Sequence, residues 1–242
     1  MKADRKHAPC TVKIADFNQI HDIIMIKAAE CSGFSNIPLL FVYCLMYNRI
    51  QIEELERGKK MEKTIGLAEL TSITYGIAVS DAMLKAGSVK LIRSAPACPG
   101  KYLILIAGDT GEVKAAMEAG RELAGTYLRA SYVIPHIHEQ VLETLSAKKK
   151  PEPREALGIL ESSRMVSAIY AADMVAKEAA VHLCRIRLGQ GIGGKGVVLL
   201  SGDVGAVEAA VKAAAAQNEA LDLKLTEHYV IPNPDPELLE FL

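Results

Sequence analysis

From residue 62 onward, apolar positions alternate between strand-like and helix-like spacing. Thr64 to Leu70 reads as a short apolar strand, and Ile73 to Ala86 as a helix carrying Ile77, Met83 and Leu84 on one face. Gly87 ends that helix, because a residue without Cβ accepts the left-handed C-cap conformation. Val89 to Ser94 is a second strand, Ala95 to Gly100 a loop, and Lys101 to Ala107 a third strand. Asp109 then caps a second helix, with Glu112 three positions later at capping-box spacing. That helix runs to about Leu123, and Ser131 to Pro135 is a final short strand. The order β-α-β-β-α-β is the split βαβ arrangement of ferredoxin-like α/β (α+β) domains.

The pattern occurs twice. Gly66, Glu69, Asp81, Lys85, Val89, Leu91 and Arg93 recur 92 residues later as Gly158, Glu161, Asp173, Lys177, Val181, Leu183 and Arg185. Gly100-Lys101 and Gly108-Asp109 recur 94 residues later as Gly194-Lys195 and Gly202-Asp203, and Ile134-Pro135 recurs after 97 as Ile231-Pro232. The drift of the offset places small insertions in loops, where they are tolerated. The chain therefore divides into an extension (1–60), a first domain (61–147), a linker (148–154) and a second domain (155–242). The linker is charged and proline-rich, Lys148-Lys149-Lys150-Pro151-Glu152-Pro153. The extension is compositionally foreign: it holds three of the four Phe and three of the five Cys but two of the eighteen Gly.

Composition narrows the function classes. A formal charge of −1 with mixed signs gives no cationic field for nonspecific binding to nucleic acid or anionic membrane. The longest apolar run, Ile37 to Tyr47, has eleven residues and contains Pro38, short of the roughly 20 that cross a bilayer. Five cysteines without a secretory signal argue for a reducing compartment rather than a disulfide framework.

Few segments carry candidate chemistry. Gly189-Gln190-Gly191-Ile192-Gly193-Gly194-Lys195-Gly196 nearly matches a phosphate-binding loop. However, Gly196 replaces the magnesium-binding Ser or Thr, and the following residues read as a strand where a helix is needed. A glycine loop joining two strands is expected instead. The equivalent loop of the first repeat is Ser94-Ala95-Pro96-Ala97-Cys98-Pro99-Gly100, where a cysteine stands among prolines. By residue type alone a single Cys here reads as an inert small core residue. One thiolate cannot build a cluster, but three copies meeting on a threefold axis would bring three to one centre. His136 and His138 read as a solvated helix start, His182 as a half-buried strand residue and Cys184 as core. Glu69 and Glu161 recur at equivalent strand ends, either as catalytic carboxylates or from a shared structural need.

The runs Ile65-Gly66-Leu67-Ala68-Glu69-Leu70, Asp81-Ala82-Met83-Leu84-Lys85-Ala86, Gly108-Asp109-Thr110-Gly111 and Val133-Ile134-Pro135, with their second-repeat counterparts, resemble the shell-domain signature of bacterial microcompartments. The resemblance covers residues 62 to 242 and implies a non-enzymatic shell protein in the bacterial cytoplasm, with two domains of unpermuted order, assembling as a homotrimer of hexameric outline that tiles facets with other shell proteins. Cys98-Pro99-Gly100-Lys101 further resembles the pore loop of iron–sulfur-binding tandem shell proteins of the propanediol-utilisation class. This implies one 4Fe–4S cluster per trimer, ligated by Cys98 of each subunit, for electron transfer or cluster delivery across the shell, with an encapsulated redox enzyme as a partner. Ala97, Pro99 and Gly100 then belong to one pore loop and Gly191, Ile192 and Gly193 to the other, while Lys85 and Lys177 match the family's tile-edge lysine.

The extension reads either as a docking segment, with Ile20, Ile23, Ile24 and Ile26 partly on one helical face, or as a stretch upstream of a start at Met61. The second reading is preferred, because Glu56-Arg57-Gly58 is encodable by purine codons of ribosome-binding composition. A competing functional class is a soluble ligand-binding or regulatory module whose glycine loop binds an anion.

Overall fold

A computed structural model describes residues 64–146 and 155–242. The extension, with its two readings, and the linker fall outside the described residues. Each repeat is a four-stranded antiparallel sheet with two long helices packed on one face.

The first domain runs β1 (Thr64–Leu70), α1 (Ile73–Ala86), β2 (Lys90–Ala97), β3 (Lys101–Gly108), α2 (Thr110–Ala124), a 3-10 turn (Gly125–Tyr127), β4 (Leu128–Pro135) and α3 (Glu139–Ser146). The second repeats the order as β5 (Ala156–Ser162), α4 (Met165–Glu178), β6 (His182–Leu188), β7 (Gly196–Gly202), α5 (Val204–Ala216), β8 (Leu225–Pro232) and α6 (Pro236–Phe241). The sheet orders β2-β3-β1-β4 and β6-β7-β5-β8 are the same topology. Their registers match as well: Thr64 pairs with Gly108 and Pro135, Ala156 with Gly202 and Pro232, and a bulge follows Glu69 and Glu161. The duplicated ferredoxin-like reading therefore holds at the level of individual ladder partners.

The fold adds a short helix after the last strand of each domain, starts β4 at Leu128 rather than Ser131, and departs from the sequence reading at four further places. Gly87 is extended (φ −151°), not left-handed. Its glycine is required by a close approach, since a Cβ there would lie 2.6 Å from the Glu112 carbonyl oxygen. Asp109 makes no side-chain cap, and Glu112 instead accepts the Ser88 amide at 2.6 Å across the chain. Met83 is buried on α1, but Ile77 and Leu84 are 58% and 43% exposed. Six residues separate Ile77 from Met83, which turns the two to different sides of a helix with 3.6 residues per turn. Finally, β2 continues through Ala97, leaving a tight Cys98–Gly100 connection; Pro96 is tolerated because β2 is an edge strand.

The hydrophobic core of the second domain continues into Ala97, Ala130, Ile134, Ile137 and Val141 of the first. The seam between the domains is therefore a core interface. Helix α4 lies in it and is buried nearly all round, including Met165, Val166, Ile169, Ala172 and Val175. Residues such as Met165 and Ile169 each contribute about 1.5–3 kcal/mol by leaving water.

Candidate functional site

The two inter-strand loops meet at this seam. Cys98, Pro99 and Gly100 are exposed, and the Cys98–Pro99 peptide is cis. Ala97, expected in the loop, is the buried last residue of β2 and lies against Gly189. The second loop turns through Gly189, Gly191, Gly193 and Gly194, all at φ between 63° and 73°, a region open to glycine at little cost. A Cβ on Gly194 would fall 2.6 Å from the Cys98 carbonyl oxygen. The glycine there lets the two loops touch.

The amides of Gly189, Gln190, Ile192, Gly194 and Lys195 are bonded to carbonyls of Leu188, Gly189, Ile192 and Lys195, within the loop and at its ends. β7 begins at Gly196, so a strand follows where a phosphate site needs a helix N-terminus. Gly191 and Gly193 are exposed and Ile192 is half-buried.

Beneath the loops sits a buried ionic clamp. Glu69 is fully buried at the end of β1. Its Oε2 accepts the backbone amides of Met165 (2.6 Å) and Val166 (3.4 Å), the first two residues of α4. Its Oε1 lies 2.9 Å from Lys101 Nζ and 3.3 Å from Arg129 Nε. Lys101 in turn donates to the carbonyls of Gly194 (2.8 Å) and Ser163 (3.3 Å). A carboxylate at a helix N-terminus satisfies otherwise orphaned donors and opposes the macrodipole. The N-cap residue of α4 is Arg164, whose side chain makes no cap bond, so Glu69 from the other domain supplies what the local sequence lacks.

Further seam contacts flank the clamp. Tyr132 Oη donates to the Asp222 carbonyl oxygen at 3.0 Å and lies 3.0 Å from Ser167 Oγ. Asp173 accepts the His138 amide (2.7 Å), and Lys177 joins Asp173 (2.5 Å) and the Pro135 carbonyl (3.4 Å). His138 is thus part of the domain seam rather than a solvated helix start. Asp222 is held below the ordinary carboxylate value by hydrogen bonds from Lys224 and then Arg164.

In the second domain the same residue types remain at the surface. Glu161 accepts from Lys195 Nζ (2.6 Å) and Thr226 Oγ1 (3.1 Å), and the Lys195 bond is the main reason its carboxyl lies below the ordinary value. Glu69 and Glu161 are thus engaged separately, one in the seam and one outside it. Lys85 is exposed and paired with Asp81 at 2.6 Å. Cys184 is buried beside Ser201, as expected of a core thiol, and His182 is half-buried in β6. Among the described residues, no three His, Cys, Asp or Glu side chains of one chain are grouped to hold a metal ion, and no helix is long and apolar enough to cross a membrane.

Two copies of one ferredoxin-like domain, fused in tandem through a core seam with their inter-strand loops in contact, define the class of molecule. The BMC domain family matches residues 64–137 and 156–234, one match for each repeat. The chain belongs to this family, the shell proteins of bacterial microcompartments, in its tandem-domain form. It is 41% identical over 174 residues to the bacterial microcompartment shell protein PduT of Citrobacter freundii, covering 72% of this chain and 94% of that one. Against the shell protein PduA of the same organism, 33% identity over 86 residues covers 35% of this chain and 92% of that one. A microcompartment protein from Desulfitobacterium hafniense has a similar solved structure, with a TM-score of 0.64 and 42% identity over 73% of this chain and 98% of that one. A fused permuted hexameric shell protein from the RMM microcompartment gives a TM-score of 0.53 at 25% identity, covering 71% and 92%.

Proposed function

We propose that this protein is a facet tile of a microcompartment shell in the bacterial cytoplasm, closed as a homotrimer of six domains, with one 4Fe–4S cluster on its threefold axis. The observation that carries the trimer is that each half of the domain seam recurs without its partner. Ile73, Ile77 and Leu84 on α1 correspond to Met165, Ile169 and Ala176 on α4, but are 43%, 58% and 43% exposed where their counterparts are buried. At the other end, Tyr229 and Leu238 correspond to Tyr132 and Val141 and are 68% and 40% exposed. A chain ending in two complementary halves of one interface associates head to tail, and such an interface forms a ring when its rotation closes. Similarity to a fused shell protein described as hexameric supports a six-domain ring.

The cluster reading rests on Cys98. It is exposed, carries a free thiol and sits in a tight loop braced by Gly194 and Lys101. The described residues of a single chain offer too few donors, so the fit requires the trimer, in which three Cys98 thiolates would converge and leave one iron without a protein thiolate. Such a cluster supplies one-electron chemistry; the chain's own residues fix where the thiolates stand. Electron transfer across the shell, with an encapsulated redox enzyme as partner, or delivery of the cluster follows from that position. Exposed Lys85 contacts neighbouring tiles in this reading, and so does Lys177, whose partly exposed side chain also holds Asp173 and the Pro135 carbonyl in the domain seam. Anaerobic purification tests the ligand: Cys98→Ser should lose the iron and the reduced-state electron paramagnetic resonance signal, and unchanged iron and signal would refute it.

A further inference from the structure

The clamp inside the chain has a counterpart whose residues hold one another at the surface. Glu161, Lys195 and Thr226 correspond to Glu69, Lys101 and Arg129. Lys101 and Glu69 side chains are 9% and 0% exposed, whereas Lys195 and Glu161 are 49% and 31% exposed. We propose that Glu161 and Lys195 form the intermolecular half of the clamp, gripping a second copy of this chain. Glu161 accepts the amides of Ile73 and Thr74 at the start of its α1, and Lys195 donates to its Thr71 and Gly100 carbonyls.

Three observations converge on that partner. The amides that Glu69 takes are those of the first two residues of α4, and their counterparts on α1 are Ile73 and Thr74. On α1 the N-cap Ser72 accepts only the Tyr75 amide, the third position. Among the described residues the Ile73 and Thr74 amides have no acceptor, and both residues are exposed. The helix thus keeps open the two donors that a Glu161 carboxylate would take, and Ser72 does not compete for them. The apolar surfaces run the same way, since Ile73 and Ile77 flank the open helix start on the copy that is gripped.

The consequence reaches the cysteine. Within the chain, Lys101 holds the Gly194 carbonyl and so steadies the glycine loop. Between chains, Lys195 on Gly100 would steady the loop two residues after Cys98. Each subunit would then position its neighbour's candidate ligand, and Cys98 would be fully placed only in the closed ring.

This inference rests on the trimer reading, and the experiment separates the two. Sedimentation equilibrium of the full chain gives the dissociation constant, and hydrogen exchange gives the protection of Ile73 and Thr74. The wild type should be a trimer with both amides protected. Glu161→Ala and Lys195→Met should each weaken the trimer by about tenfold or more, since truncating one partner of a desolvated charge pair commonly costs at least that much. Glu161→Ala should also expose both amides to exchange at concentrations where trimer persists. A wild type that never trimerises overturns the ring itself. A trimer whose constant and protection are unchanged in both variants overturns the clamp alone. If Glu161→Ala impairs folding, Lys195→Met carries the same test through the dissociation constant.

Discussion

At the residue scale, the decisive groups are two glutamates that the sequence marks equally. Their recurrence was legible, but their difference was not, because it depends on which domain edge has a partner within the chain. Glu69, itself fully buried, holds a helix start, the buried Lys101 and the partly exposed Arg129. Glu69→Ala should therefore cost about 3–5 kcal/mol of stability by chemical denaturation, since Lys101 would stay buried without its counter-charge. A loss below about 1 kcal/mol would mean the pair is solvated after all. Asp222 gives a pH test. Its carboxyl titrates below its ordinary value of 3.8 because Lys224 and Arg164 stabilise the charged form. A depressed folded pKa stabilises the fold above the ordinary value and is lost as pH falls through the depressed one. The melting temperature of wild type should thus exceed that of Asp222→Asn at pH 7, and the two should converge as acid is added below pH 3.8. Curves that stay parallel would contradict the assignment.

At the element scale, the repeat made nearly every strand and helix readable. Periodicity placed β1 and α1 at their observed bounds, because both are framed by sharp changes of spacing. The errors came where a tertiary contact overrode a local signal. Glu112 had capping-box spacing but was taken by the Ser88 amide, and Gly87 answers to the Glu112 carbonyl rather than to a left-handed turn. Helical spacing does not separate the two apolar surfaces that α1 carries. Met83 and Val79 serve the domain core, while Ile73, Ile77 and Leu84 stay outside it. The sequence of α4 gives the same problem in reverse, since burial all round leaves no polar face to orient the reading. Ile77→Asp distinguishes the two surfaces. It should leave the melting temperature of the isolated chain within about 0.5 kcal/mol equivalent, as expected for an exposed position. It should also prevent higher assembly in sedimentation velocity. Loss of the chain's own fold would place Ile77 in the core instead.

At the scale of the whole molecule, the tandem fusion explains why the chain exposes so much apolar surface at its two ends. One seam is satisfied internally, and its surfaces are repeated where another copy can meet them. In the proposed ring the same geometry would give Cys98 its meaning, since a thiol that is not grouped with other metal ligands among the described residues of its chain would gain two companions by threefold symmetry. Cysteine count and spacing alone do not show such a centre, because its other thiolates would come from other copies of the chain. Native mass spectrometry of the protein purified without oxygen tests the account most directly. The predicted species is three chains with the added mass of four irons and four sulfides. A monomer or dimer at working concentrations would contradict the ring, and a trimer without iron would contradict the cluster.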